Sequence, residues 1–246
     1  MKKQPKHLIP NILTLFNMFI GFLAIGLIIN DQPVQAGIFV LFSGMFDIFD
    51  GKIARLLGIE SKFGIEFDSM ADLVSFGVAP AVLMLNTVMY LNDLSRYSIE
   101  FWILATSVSI FVLAGALRLA RYNLTSDKPM KGWFSGIPIT AAGGGLTATA
   151  AILLLRYEGY LNAEQINLYA PIFIVILAIG MVSTFKFPKM MKREGFYINL
   201  FQASNFIVSC YCAVTRSYPE FLFCMGIFLL LTGTIAGRFA SNESQN

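Results

Sequence analysis

Residues 9–29 read IPNILTLFNMFIGFLAIGLII, a run from Ile9 to Ile29 with no charged side chain. Hydrocarbon about 30 Å thick is crossed by roughly 20 mostly apolar residues in a helix, and this stretch supplies them. Working outward, comparable stretches follow at 34–57, 69–91, 99–119, 137–155, 166–187, 198–214 and 218–236, about eight in all. The seventh is the most interrupted, by Asn199, Gln202, Ser204 and Asn205. Composition agrees: of 246 residues 56% are hydrophobic and 13% charged, and mean hydropathy is +0.67. Soluble domains carry about twice that charged fraction, so an ordinary globular enzyme is excluded. The expected fold is an all-α polytopic transmembrane bundle forming one integral membrane domain over 1–246.

The basic residues orient it. With the N-terminus inside, 15 of the 18 Lys and Arg fall in inner segments, and only Arg96, Arg156 and Arg216 fall outside. Positive charge accumulates on the cytoplasmic side, so both termini are expected there, in a cell (inner) membrane. Met1-Lys2-Lys3 before an apolar run and the small-residue site Val34-Gln35-Ala36 also suit a signal peptide. The run is longer than a signal core of about 7 to 15 residues, which favours a retained anchor. A net charge of +3 is too small and dispersed for a nucleic-acid binder. His7 is the sole histidine, and Cys210, Cys212 and Cys224 match neither a zinc site nor a disulfide framework. Catalysis therefore falls to carboxylates, Lys, Arg or hydroxyls.

Four carboxylates stand where apolar residues belong. Asp47 and Asp50 lie near the inner end of the second stretch, and Asp68 and Asp72 open the third. Unpaired acids at membrane depth cost a few kcal/mol each on insertion scales. Asp47, Asp50, Gly51 and Ala54 fall at i, i+3, i+4 and i+7, one stripe of a helix; Gly64, Asp68, Asp72 and Ser75 form a second if that helix begins early. A short inner loop makes the two helices antiparallel neighbours, so the four acids converge at the cytoplasmic end, as in carboxylate metal sites between helices. An all-oxygen ligand set favours a hard cation, Mg²⁺ or Mn²⁺, with room for one or two ions. A plainer reading pairs Asp47 or Asp68 with Lys52, Arg55 or Lys62. That satisfies one or two acids and leaves the clustering unexplained.

Together the residues spell Asp47-x2-Asp50-Gly51-x2-Ala54-Arg55-x8-Gly64-x3-Asp68-x3-Asp72, which resembles the signature of the CDP-alcohol phosphatidyltransferases at every fixed position. The resemblance implies a divalent-metal site over which a CDP-linked lipid and an alcohol meet. It implies Asp47, Asp50 and Asp68 as main metal ligands, with Asp72 completing the site and acting as general base. Asp47, Gly51, Ala54 and Gly64 would accommodate CDP, the small residues by letting the nucleotide approach the backbone, and Arg55 would contact phosphate. It also implies a homodimer, and it covers roughly residues 5–190. Residues 191–246 are expected as an additional helix pair.

Three further segments resemble the serine-accepting branch of that family: Ile9 to Asn17, Ala71 to Pro80, and Gly115-Ala116-Leu117-Arg118-Leu119-Ala120-Arg121-Tyr122-Asn123, followed by Phe134 to Pro138. Leu73 follows the last aspartate, where glycerophosphate-accepting members commonly have Lys. The expected reaction is phosphatidyl transfer from CDP-diacylglycerol to L-serine, releasing CMP. Arg118, Arg121 and Asn123 are candidates for the serine carboxylate or lipid phosphate. Positive-inside anchoring is the competing account of both arginines, and of Lys186 and Lys189. Asn11, Asn17 and Ser75 suit polar contacts between helices as well as substrate contacts. Glycerol 3-phosphate or inositol as acceptor keeps the chemistry. A divalent-cation transporter would use the same aspartates but leaves Gly51, Ala54, Arg55 and Gly64 without a purpose, and a scaffold has no reason to bury four acids.

Overall fold

Proline and glycine punctuate the first hairpin. In the computed structural model α1 spans Leu8–Ile29 and α2 spans Pro33–Leu57. Pro33 opens α2 at the position where its missing N–H has no helical partner to lose. Gly58 ends it in the left-handed conformation, φ +61°. The structure describes residues 8–58, 61–125, 133–188 and 219–243, with positions 204, 208, 211, 212 and 215. The stretch expected at 198–214 lies largely outside the described residues.

Ser61 caps the third helix, its Oγ accepting the Gly64 N–H at 3.0 Å. From there α3 runs over Lys62–Asn92, beginning about two turns before the apolar run at 69. That early start puts Asp68 and Asp72 inside the helix. Within α3, Leu73–Val78 is π-helical, and Ala79 N–H reaches back five residues to Val74 O. Pro80 has a physical part in this. It lacks the N–H that an α-helix would return to Phe76 O, and its ring crowds that carbonyl.

Helix α4 covers Ile99–Thr125. After strand β1 (Trp133–Ser135) comes α5, Ala141–Arg156, which opens on a second π stretch, Ala141–Ala148. Helix α6, Ala163–Val182, starts on a capping box between Asn162 and Gln165. Strand β2 (Lys186–Pro188) then pairs antiparallel with β1, Phe187 opposite Phe134. The chain is predominantly helical, as expected of an all-α membrane protein; the span expected at 166–187 is shorter, its helix ending at Val182 before this ribbon. Thr184 and Phe185 suit extended backbone, and Pro188 ahead disfavours helix. Helix α7 spans Pro219–Glu243. Its start is tied to the end of α5, where Glu220 accepts from Tyr157 Oη at 2.7 Å and lies 3.4 Å from Arg156 Nε.

Among the described residues five helices are long and apolar enough to cross a membrane: Pro10–Ile29, Pro33–Ala54, Lys62–Asn92, Ile99–Leu124 and Ala163–Val182. Ala141–Arg156 and Pro219–Thr232 are shorter apolar helices. Exposure follows a membrane pattern. Phe19, Phe22, Leu113, Leu117, Ile176 and Ile179 face outward, whereas Thr14, Asn17, Ser43, Asp50, Asp72, Ser75, Thr147 and Thr149 are buried. Lipid tails are as apolar as leucine, so the helices associate through packing and polar contacts rather than by hiding oil from water.

The tightest packing joins the two π stretches. Gly143 lies so near Phe76 that an added β-carbon would fall within the Phe76 carbonyl and 2.9 Å from its Cα. Phe76 itself is fully buried, among Ala79, Leu83, Ile139 and Leu146 of the same core. The helix carrying two acids is thereby fixed four residues beyond Asp72.

Candidate metal centre

Asp47 and Asp50, late in α2, and Asp68, early in α3, come together: one carboxylate oxygen from each lies within 4.8 Å of the other two. Asp50 is 4% exposed, and Asp68 Oδ1 is buried without a hydrogen-bond partner among the described residues. Such carboxylates repel strongly where the dielectric is low, and buried charges persist only when paired or bound to metal. The donor set is hard oxygen, which suits Mg²⁺ or Mn²⁺. A divalent cation therefore fits these residues on geometry, charge and donor chemistry. Asp47, Asp50 and Asp68 lie close enough to share one ion in this arrangement.

Asp72, 8% exposed, stands beside that group, within electrostatic range of Asp47, Asp68 and Asp50 and of the Arg118 guanidinium. Its Oδ1 receives a long hydrogen bond, 3.4 Å, from Asn17 Nδ2 of α1. Thr14, one turn earlier on α1, donates from Oγ1 to Asp50 Oδ2 at 2.8 Å. Sequence reasoning missed Thr14. The signal was there: Asn11, Thr14, Asn17 and Gly21 recur at three- and four-residue steps along one face of an otherwise apolar helix.

Gly51 and Ala54 continue the α2 stripe, both half-buried. Gly64 sits at the start of α3, where a β-carbon would stand 3.1 Å from Ser61 Oγ and 3.5 Å from Asn11 Oδ1. The Arg55 side chain lies outside the described residues. Arg118 is buried in the last part of α4, within electrostatic range of Asp72. Arg121, grouped with it by sequence, directs guanidinium donors to backbone carbonyls. Nη1 donates to Val182 O at 2.6 Å; Nη2 donates to Ser183 O at 3.0 Å, Ser135 O at 3.1 Å and Met181 O at 3.3 Å. It thus caps the end of α6 and holds the β1–β2 ribbon to α4. Asn123 reaches Glu66 Oε2 at 3.1 Å and Ser69 Oγ at 3.0 Å, tying α4 to α3.

Arg121→Gln should lower the thermal midpoint in detergent by an amount equivalent to about 2–4 kcal/mol, since charged hydrogen bonds are worth about 1.5–3 kcal/mol each and act here as a set. Arg121→Lys should rescue little, because an ammonium does not span the forked carbonyl set. An unchanged midpoint for both would remove the capping role.

A family model described as CDP-alcohol phosphatidyltransferase matches residues 7–186. A CDP-diacylglycerol–serine O-phosphatidyltransferase of Helicobacter pylori (strain J99) is 37% identical over 193 residues, covering 78% of this chain and 76% of that protein. A protein of the same name from Methanocaldococcus jannaschii is 33% identical over 227 residues, 92% of each chain. Another, from Bacillus subtilis, is 32% identical over 192 residues, 76% of this chain and 93% of its own.

Proposed function

The chain belongs to the CDP-alcohol phosphatidyltransferase family, and from that premise we propose that it transfers the phosphatidyl group of CDP-diacylglycerol to the hydroxyl of L-serine, giving phosphatidylserine and CMP. The observation that carries the reading is the convergence of Asp47, Asp50 and Asp68 with Asp72 beside them. Relatives named for serine transfer supply the acceptor.

Asp47, Asp50 and Asp68 would hold Mg²⁺ or Mn²⁺, one or two ions, with Asp72 as a fourth acid of the site. A bound divalent cation supplies charge neutralisation for the pyrophosphate and for the departing CMP. The chain's own groups do the rest. Gly51, Ala54 and Gly64 leave the helix backbones open to the nucleotide, and Arg55 contacts phosphate. Asp72 accepts the serine hydroxyl proton as the new O–P bond forms and the bond to CMP breaks. Its Oδ1 is engaged by Asn17, which leaves Oδ2 for that proton. Arg118, buried within electrostatic range of Asp72, receives the serine carboxylate or the lipid phosphate, with Arg121 and Asn123 bracing the wall behind it.

Residues 1–190 form the catalytic core and 191–246 an appended helix pair. The chain crosses the cell (inner) membrane about eight times as a homodimer, with both termini and the active site on the cytoplasmic side. Isotope-labelled serine should enter a chloroform-soluble lipid only with CDP-diacylglycerol and a divalent ion present. Label that stays in the aqueous phase with the ion and lipid substrate both supplied would contradict the reading. Asp47→Ala should weaken metal-dependent CDP binding by more than about a hundredfold, beyond the 10- to 100-fold typical of groups that only support ligands. Equilibrium binding of labelled CDP measures this, and an unchanged affinity would defeat the ligand assignment.

A further inference from the structure

Helix α1 carries no acid or base across its membrane-spanning length, yet it is the element that touches two of the four aspartates. Thr14 Oγ1 lies 2.8 Å from Asp50 Oδ2 and 3.1 Å from Pro10 O. One hydroxyl has one proton to give, so the two acceptors compete. The carboxylate is the stronger, since bonds to an ionised acceptor are shorter and stronger than those to a neutral carbonyl. One turn along, Asn17 is fully buried and donates from Nδ2 to Asp72 Oδ1. Its own backbone carbonyl accepts the Ser75 hydroxyl at 2.9 Å. Gly21 permits this approach, because a β-carbon there would stand 2.7 Å from Ser75 Cα. The helix bearing the support is thus pinned against the helix bearing Asp72.

The other end of the Asn17 amide distinguishes function from glue. Asn17 Oδ1 is buried without a hydrogen-bond partner among the described residues. An asparagine retained only to join helices would satisfy both ends of its amide, because an unpaired buried acceptor is destabilising. Rotating the amide would place Oδ1 against the Asp72 carboxylate, oxygen to oxygen. The observed orientation serves Asp72 at the expense of its own carbonyl.

We propose that Thr14 and Asn17 are positioning residues for the transfer reaction, Thr14 holding Asp50 in the rotamer that binds metal and Asn17 holding Asp72 in the rotamer that takes the acceptor proton. The proposal rests on the metal and base assignments above. The two residues act on different parameters, which makes them separable. Loss of the Thr14 hydroxyl weakens the metal site, whereas loss of the Asn17 amide slows proton transfer.

The test titrates Mn²⁺ by its free-ion spin-resonance signal, with CMP release measured in parallel, for wild type, Thr14→Val, Thr14→Ser, Asn17→Leu and the lipid-facing control Leu15→Ala. Thr14→Val should weaken Mn²⁺ binding about 10- to 100-fold, as loss of ligand-supporting partners typically does, and Thr14→Ser should restore it. Asn17→Leu should bind Mn²⁺ as wild type does, with kcat lowered about 10- to 100-fold and KM for CDP-diacylglycerol unchanged. Thr14→Ala and Asn17→Ala replace any variant that fails to elute as a single species. Variants that match Leu15→Ala in both readouts overturn the proposal, as does Thr14→Ser behaving like Thr14→Val. A wild type that binds Mn²⁺ but releases no CMP would sink the assigned reaction while the Thr14 arm still stands or falls on binding. A wild type that binds no Mn²⁺ would sink both.

Discussion

Asp72→Asn should lower the rate of CMP release about 10²- to 10⁴-fold, the contribution usual for a positioned general base, while metal-dependent CDP binding persists. The substitution changes one atom and keeps the shape, so the helix is not perturbed. Asn17 Nδ2 still finds a carbonyl oxygen in place of Asp72 Oδ1, and the Asp47, Asp50 and Asp68 oxygens remain within reach of one another. What disappears is the group that accepts the hydroxyl proton. Steady-state CMP release and equilibrium CDP binding, measured on one preparation, separate the two properties. Turnover retained at the wild-type rate would remove Asp72 as the base, and loss of CDP binding would move it into the metal set.

Gly143→Ala should be the most damaging added methyl among the described glycines. The new β-carbon would meet the carbonyl carbon of Phe76 at 2.7 Å and its Cα at 2.9 Å. Overpacking ordinarily costs about 1–3 kcal/mol because side chains shift aside. Here the obstacle is backbone, inside a π turn already widened in front of Pro80, so the expected cost exceeds about 4 kcal/mol. Little monodisperse protein should be recovered. Gly145→Ala, two residues on, is the matched comparison. Nothing lies within 4 Å of its β-carbon position, and the change should be neutral or stabilising by up to about 1 kcal/mol. Equal yields and equal thermal midpoints for the two variants would mean that the two π stretches do not pack as described.

What the sequence made legible follows from what each signal depends on. Hydrocarbon thickness acts on every residue of a span, so the apolar runs near Ile9, Val34 and Ile99 located α1, α2 and α4 to within a few residues at their starts. The acid stripes were equally plain, because a charge in such a run stands out and 3.6-residue periodicity puts Asp47 beside Asp50. The start of α3 was less visible. Lys62 and Glu66 lie outside the apolar run, and what begins the helix is one hydroxyl, Ser61, accepting one N–H. The π stretches were hardly legible: Pro80 is a local cue for the first, but the approach of Phe76 to Gly143 across 67 residues of chain is a tertiary contact that no local pattern encodes. Arg121 shows a related limit. By position it resembles Arg118, and only the location of the α6 end decides that its donors go to carbonyls of Met181, Val182 and Ser183. Thr14 was hidden by its ordinariness, since a threonine in a membrane helix commonly bonds its own preceding turn, as Thr14 also does to Pro10 O.

The central claim is that the acid cluster transfers a phosphatidyl group to serine. Its most direct test is CMP release by the detergent-purified protein from CDP-diacylglycerol with Mg²⁺ or Mn²⁺, offering L-serine, glycerol 3-phosphate and inositol in separate reactions. The account predicts release with serine, dependent on the divalent ion, and none above background with the other two. Release driven by glycerol 3-phosphate or inositol instead would contradict the acceptor, and absence of ion-dependent release with all three would contradict the reaction.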